Sequence, residues 1–140
     1  MAIQSHFMPA SSDPNQTRWS PVAADAMRLD EVAALDRLGG SSALFAIILK
    51  SFVSDLAAYP STVQAHLRRH DAVAAARALH TLKGLAATVG ASYLAQQAIA
   101  LERDVKSGTA DTDAMVASLQ ALVDCALPVL HDAVQRHAAA

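Results

Sequence analysis

Residues Ala78–Gly90 read A-L-H-T-L-K-G-L-A-A-T-V-G, and their spacing decides the fold. Ala72, Ala75, Leu79, Leu82, Ala86 and Val89 recur at three and four residues, which draws one apolar stripe along an α-helix. At about 100° per residue, His80 lies about 130° from the middle of that stripe and faces water. Its neighbours on the helix surface are Val73, Ala76, Arg77, Lys83, Gly84 and Ala87. Most of these are small and two are cationic. A histidine on a low, positively edged surface is accessible to a large partner.

The pattern His80-Thr81-Leu82-Lys83-Gly84, with Gly90 ten residues after the histidine, resembles the histidine phosphotransfer (HPt) domains of bacterial phosphorelays. Leu38-Gly39-Gly40 upstream and Leu101-Glu102 downstream extend the likeness to roughly residues 29 to 130. Two positions depart from the common pattern. Leu85 stands where relatives often carry a small or polar residue, and Glu102 where some carry Gln. The first adds apolar contact to the docking face. The second makes the surroundings of the imidazole more anionic.

The composition is that of a helical domain. Of 140 residues, 53% are hydrophobic, 17% charged and 4% aromatic, which fits a core of small aliphatic side chains. A net charge of −2 gives no basic footprint for nucleic acid. No apolar run approaches the ~20 residues of a membrane span, and no contact with a membrane is expected. The single Cys125 makes no internal disulfide and falls in an apolar pattern, where it is expected to pack; it fits a reducing cytoplasm. Residues 1–25, with Pro9, Pro14 and Pro21 and no period, read as a flexible arm that begins with a vector-like leader. Trp19 either packs on the bundle end or marks a linker to a further domain. Both a free-standing protein and a cytoplasmic C-terminal domain of a membrane sensor kinase suit this layout.

Residues 26–138 are expected to form the folded domain. Leu29, Val32, Leu35 and Leu38 mark a short first helix closed by Gly39-Gly40. Ser41 or Ser42 caps the next, whose stripe is Leu44, Ile48, Phe52, Leu56, Tyr59, Val63 and Leu67, with a kink at Pro60. Asp71 caps the His80 helix and Ser92 the one after, which turns Leu94, Ala98, Leu101 and Val105 inward and stops at Ser107-Gly108. Asp111 or Thr112 opens the last helix, with Met115, Leu119, Leu122, Ala126, Val129 and Ala133 inward and a kink at Pro128; the tail from His137 is expected to fray. No strand alternation or internal repeat interrupts this series. The fold class is therefore all-α: an antiparallel up-down-up-down four-helix bundle with a short additional N-terminal helix.

His80 is the candidate phospho-acceptor, and the resemblance implies Nε2 as its nucleophilic nitrogen. The other ring nitrogen needs an acceptor that fixes the tautomer. Glu102, one residue past the inward Leu101, is the candidate, and it is equally placed to pair with Lys106 four residues on. Lys83, one turn from His80, is placed to steady phosphoryl oxygens; Lys106 either pairs with Glu102 or reaches the phosphate. Gly84 costs roughly 1 kcal/mol against alanine in a helix interior, and the resemblance explains it as clearance for the incoming domain. The docking face comprises Val73, Ala76, Arg77, Gly84, Leu85, Ala87 and Lys106. The resemblance implies a response-regulator receiver domain, a hybrid sensor histidine kinase or both as partner, with the receiver supplying the acidic pocket and Mg²⁺. This chain then needs no cofactor or metal of its own, has no independent kinase activity, and is expected to be a monomer. His66 and His70 have two-ligand spacing without a third ligand. The alternative from a different class is a non-catalytic helical module that docks a regulatory protein or enzyme independently of phosphorylation.

Overall fold

The structure is a computed structural model that describes residues 26–109 and 111–139. The arm of residues 1–25, its vector-like leader and Trp19 lie outside the described residues. Among the described residues six helices follow in order: α1 (Glu31–Arg37), α2 (Ser42–Leu56), α3 (Tyr59–Arg68), α4 (Ala72–Thr88), α5 (Ser92–Ser107) and α6 (Thr112–Ala138). The rod of α2 and α3, with α4, α5 and α6, makes an antiparallel four-helix bundle, and α1 lies across one end. There is no strand among the described residues. The family of packed pairs is α4 on α5 and α3, and α6 on α2 and α3.

Side-chain caps start most of these helices. Asp30, Ser41, Asp71 and Asp111 each accept the backbone N–H three residues on, at 3.2, 3.1, 3.0 and 3.0 Å. Each satisfies one of the donors that a helix start leaves free. Ser92 does not act this way. It is the first residue of α5, Ala91 holds the cap position, and no side chain caps it.

The core is aliphatic. Phe45, Leu49, Leu56, Val63, Leu79, Leu82, Leu94 and Leu119 are fully buried, and Leu101, Leu122 and Leu130 almost so. Each such leucine contributes about 2 kcal/mol of apolar burial. Alanines let α4 and α5 approach: Ala75, Ala86 and Ala98 are fully covered. The stripe of α5 is as expected, with Leu94, Ala98, Leu101 and Val105 all inward. In α4 the stripe holds from Ala75 to Val89, while Ala72 at its head is exposed.

Several expectations are corrected. The inward face of α2 holds Phe52 and Leu56 as expected, but its first two turns are one residue off the expected register: Phe45 and Leu49 are buried, Leu44 is exposed and Ile48 half-buried. In the N-terminal helix, Val32 is 73% exposed and Ala34 takes the buried place. Pro60 ends a helix instead of kinking one. α2 stops at Leu56, Ala57 and Ala58 form a turn, and Pro60 falls in the first turn of α3, where its missing N–H costs nothing. By contrast, α6 runs uninterrupted through Pro128, which sits on the exposed face. Cys125 is exposed, not packed. Ser42–Arg68, counted across the turn, and Thr112–Ala138 are each long and apolar enough to cross a membrane by length and composition, contrary to the expectation that no run approaches a span. Phe45, Leu49, Phe52 and Leu56 of the first and Leu119, Leu122 and Leu130 of the second are buried in the bundle core, while Leu44 and Ile47 are exposed.

The carboxyl end of α6 is clamped, where fraying was expected. The Glu31 carboxylate accepts two bonds from the Arg136 guanidinium at 2.8 and 2.9 Å, and lies 2.6 Å from His137 Nε2. His137 Nδ1 is 3.1 Å from Ser42 Oγ, and the ring meets Phe45 edge-on at 4.8 Å. Arg136 and burial act in opposite senses on Glu31; the guanidinium prevails and holds the carboxyl below its ordinary range. Three further bonds tie the ends of α1 to the carboxyl end of α4. Asp30 N–H donates to Gly90 O at 2.8 Å, and Arg37 donates to Ala87 O and Thr88 O at 2.7 and 3.1 Å. Gly90 has φ +82°, and a Cβ there would stand 2.4 Å from Asp30 O. Only glycine fits that crossing.

Candidate functional site

The site is a shallow groove of about 500 Å³ between α4 and α5. Ala75, Leu79 and Leu82 anchor α4 in the core, which turns His80 outward with its side chain 63% exposed. Leu101 anchors α5 in the same way and brings Glu102 to the seam, 11% exposed at the side chain. His80 Nδ1 and Glu102 Oε1 are 3.4 Å apart. Glu102 Oε2 is 2.9 Å from Lys106 Nζ. The two roles open to Glu102 are therefore both filled, one by each oxygen. Lys106 and, less strongly, His80 hold the Glu102 carboxyl below its ordinary range against the opposing effect of burial.

A proton on Nδ1 is the tautomer that suits this pair. Nδ1–H then donates to the carboxylate, and Nε2 keeps its lone pair. Nε2 has no hydrogen-bond partner among the described residues. The bond is long for a hydrogen bond, so it orients the ring without gripping it tightly.

The other candidate residues fall around this pair. Gly84 is exposed, and a Cβ added there meets nothing within 4 Å. Nothing in the chain's own packing requires a glycine at this position. The Thr88 hydroxyl donates back to Gly84 O at 2.9 Å. Lys83 is half-buried and Arg77 exposed, and neither makes an ion pair with a described residue. Val73 is 68% exposed beside the groove. Ala76 lines the groove floor but is buried at 6% exposure, so it is less open than the face counted from the sequence. Leu85 is half-buried against the core and lines a separate groove with Ile48, Ser51 and Thr88. Ala87 is exposed, at the end of the face.

Among the described residues there is no group of three or more His, Cys, Asp or Glu able to hold a metal. His66 lines a third groove, with Tyr59 and Arg77, and His70 sits in the left-handed turn before α4 at φ 58°. Besides the Glu31 clamp, a polar contact that the sequence did not announce is Arg37 on the carboxyl end of α4. Its spacing of 50 and 51 residues from its acceptors leaves no local signal.

No curated protein and no solved structure gives a significant match to this chain. A model of the Hpt domain family matches residues 47–140, which include α3 to α6, most of α2, and both His80 and Glu102. With a helical bundle that presents His80 on the exposed face of α4, and a family match over most of its length, the chain belongs to the Hpt domain family, whose members act in phosphorelay signalling.

Proposed function

We propose that this domain is a phosphocarrier: His80 takes a phosphoryl group from the aspartate of a response-regulator receiver domain and returns it. The observation that carries this reading is the exposed imidazole with Nδ1 on Glu102 and Nε2 unengaged. In the forward step Nε2 attacks phosphorus and an N–P bond forms. The P–O bond to the aspartate breaks, and its electron pair leaves with the carboxylate. The Nδ1 proton stays in place, and Glu102 balances the positive charge that develops on the ring. Such transfer asks mainly for positioning and charge stabilisation. Lys83 supplies a mobile ammonium one turn away, which gains strength once a partner excludes water.

The receiver brings the acidic pocket and Mg²⁺ in this reading, and the chain itself holds no cofactor. It acts as a monomer in the cytoplasm, as a free protein or as part of a sensor kinase. Val73, Arg77, Gly84, Leu85, Ala87 and Lys106 form the docking face, with Ala76 beneath it. Substitution His80→Gln is expected to abolish acid-labile labelling by a phosphorylated receiver while leaving the helical circular dichroism unchanged. Retained label in that variant refutes the assignment. Binding that survives His80→Ala with no transfer by the parent protein would favour the non-catalytic docking module instead.

A further inference from the structure

Arg37 is held where a partner of His80 has to pass. Its Nη2 rests on Ala87 O and Thr88 O, both of them neutral acceptors at the end of the His80 helix. That end carries partial negative charge, which favours a cation there but neutralises only part of it. Among the described residues no carboxylate pairs with Arg37, and the residue is exposed. Its charge is therefore fixed in place and still largely available to another molecule.

The position follows from helix geometry. Ala87 is seven residues past His80, about 20° from it around the helix and about 10 Å along it. Gly84 lies between them with open space over its backbone. A protein interface of ordinary size covers about 800 Å² on each side, a patch of about 16 Å radius. A receiver centred on His80 therefore reaches Arg37. The residue lies outside the matched span of 47–140, on a helix fixed by the Glu31 clamp and the Gly90 crossing. Arg77 and Lys83, which like Arg37 have no ion-pair partner among the described residues, flank His80 on either side of the same helix.

We propose that Arg37 is a recognition residue, supplied by the N-terminal helix, that meets a carboxylate on the receiver surface. This rests on the phosphocarrier reading given above. It is a residue for partner choice and acts on neither the imidazole nor the phosphoryl group.

The test is transfer from a panel of receiver domains, each phosphorylated with radiolabelled acetyl phosphate, to the parent protein, Arg37→Gln and Arg37→Lys. Gln still offers an N–H to the carbonyls but removes the charge; Lys keeps the charge. At low salt, Arg37→Gln is expected to raise KM about fivefold with kcat unchanged, and Arg37→Lys to stay within about twofold of the parent. At roughly 0.5 M salt the Gln and parent values converge. Equal KM for the Gln variant at low salt overturns the proposal, as does a difference that persists at high salt, which marks a merely structural cap. Failure of every receiver to label the parent protein instead overturns the phosphocarrier reading and this proposal with it.

Discussion

Gly84 offers the sharpest separation of fold from function in this domain. It is an exposed residue in the interior of α4, and a Cβ there meets nothing within 4 Å. Glycine in such a place costs about 1 kcal/mol against alanine, because the unfolded chain loses more freedom on becoming helical. Substitution Gly84→Ala is therefore expected to stabilise the domain by about 1 kcal/mol, or roughly 4 °C in Tm for a domain of this size. Glutamine is a slightly poorer helix former, so Gly84→Gln should gain about 0.5 kcal/mol. Transfer should move the other way. Nucleophile and phosphorus must approach to about 3 Å, and a displacement of about 1 Å can cost a factor of about 100. The glutamine side chain stands one turn from His80 on the same face, and it holds a docking partner off by more than that. Thermal melts by circular dichroism and initial rates of transfer from a phosphorylated receiver read the two effects separately. A Gly84→Ala variant less stable than the parent would show that the fold itself needs this glycine. A Gly84→Gln variant that transfers at the parental rate would sink the argument that the gap is kept for a partner.

Two further substitutions test the end of the bundle where α1 crosses. Gly90→Ala forces a side chain into a left-handed backbone and against Asp30 O, and it puts the 2.8 Å bond from Asp30 N–H at risk; urea unfolding is expected to show a loss of about 3 kcal/mol, and a loss below about 1 kcal/mol would contradict the crossing. Glu31→Gln removes the carboxylate shared by Arg136 and His137, and since the Arg136 side chain is 50% exposed the loss is discounted to about 1.5 kcal/mol at neutral pH. The folded Glu31 carboxyl lies below its ordinary range, so this stabilisation is present above that range and disappears as pH falls through the folded value. Parent and variant melts should accordingly converge in acid; a constant gap across the acid range would show that the clamp is not ionic.

The sequence exposed those parts of the fold that depend on near neighbours. The stripe Leu79-Leu82-Ala86-Val89 and its counterpart Leu94-Ala98-Leu101-Val105 each leave polar residues on the other side, so only one face can turn inward. From that register came His80 outward and Glu102 at the seam. The α2 segment defeated the same reasoning for a physical reason. Ala43 to Leu49 is apolar on almost every side, so two stripes one residue apart both reach Phe52 and Leu56, and only packing against α6 selects Phe45 and Leu49. The break at Pro60 was visible as a residue but not as an outcome, since a proline suits both a kink and a first turn. The clamp at His137 and the bridge from Arg37 join residues 50 to 106 positions apart. Periodicity carries no trace of them.

Glu102 shows how little of the site's design lies in the histidine itself. Its carboxylate is nearly buried, and an isolated buried charge is costly. Lys106 offsets that cost at 2.9 Å from one oxygen, and leaves the other turned toward Nδ1 of His80. Under the proposed function the lysine orients the imidazole indirectly, by fixing the group that selects the tautomer. In the same reading, this arrangement also reconciles a cationic rim with an imidazole whose lone pair has to attack. The Glu102 carboxylate lies 3.4 Å from the ring, and under the proposed function a docking receiver meets the cations Arg77, Lys83 and Arg37 around it. The bundle contributes rigidity beneath these groups, the small residues contribute access, and the chemistry of the phosphoryl group is left to whatever docks on them.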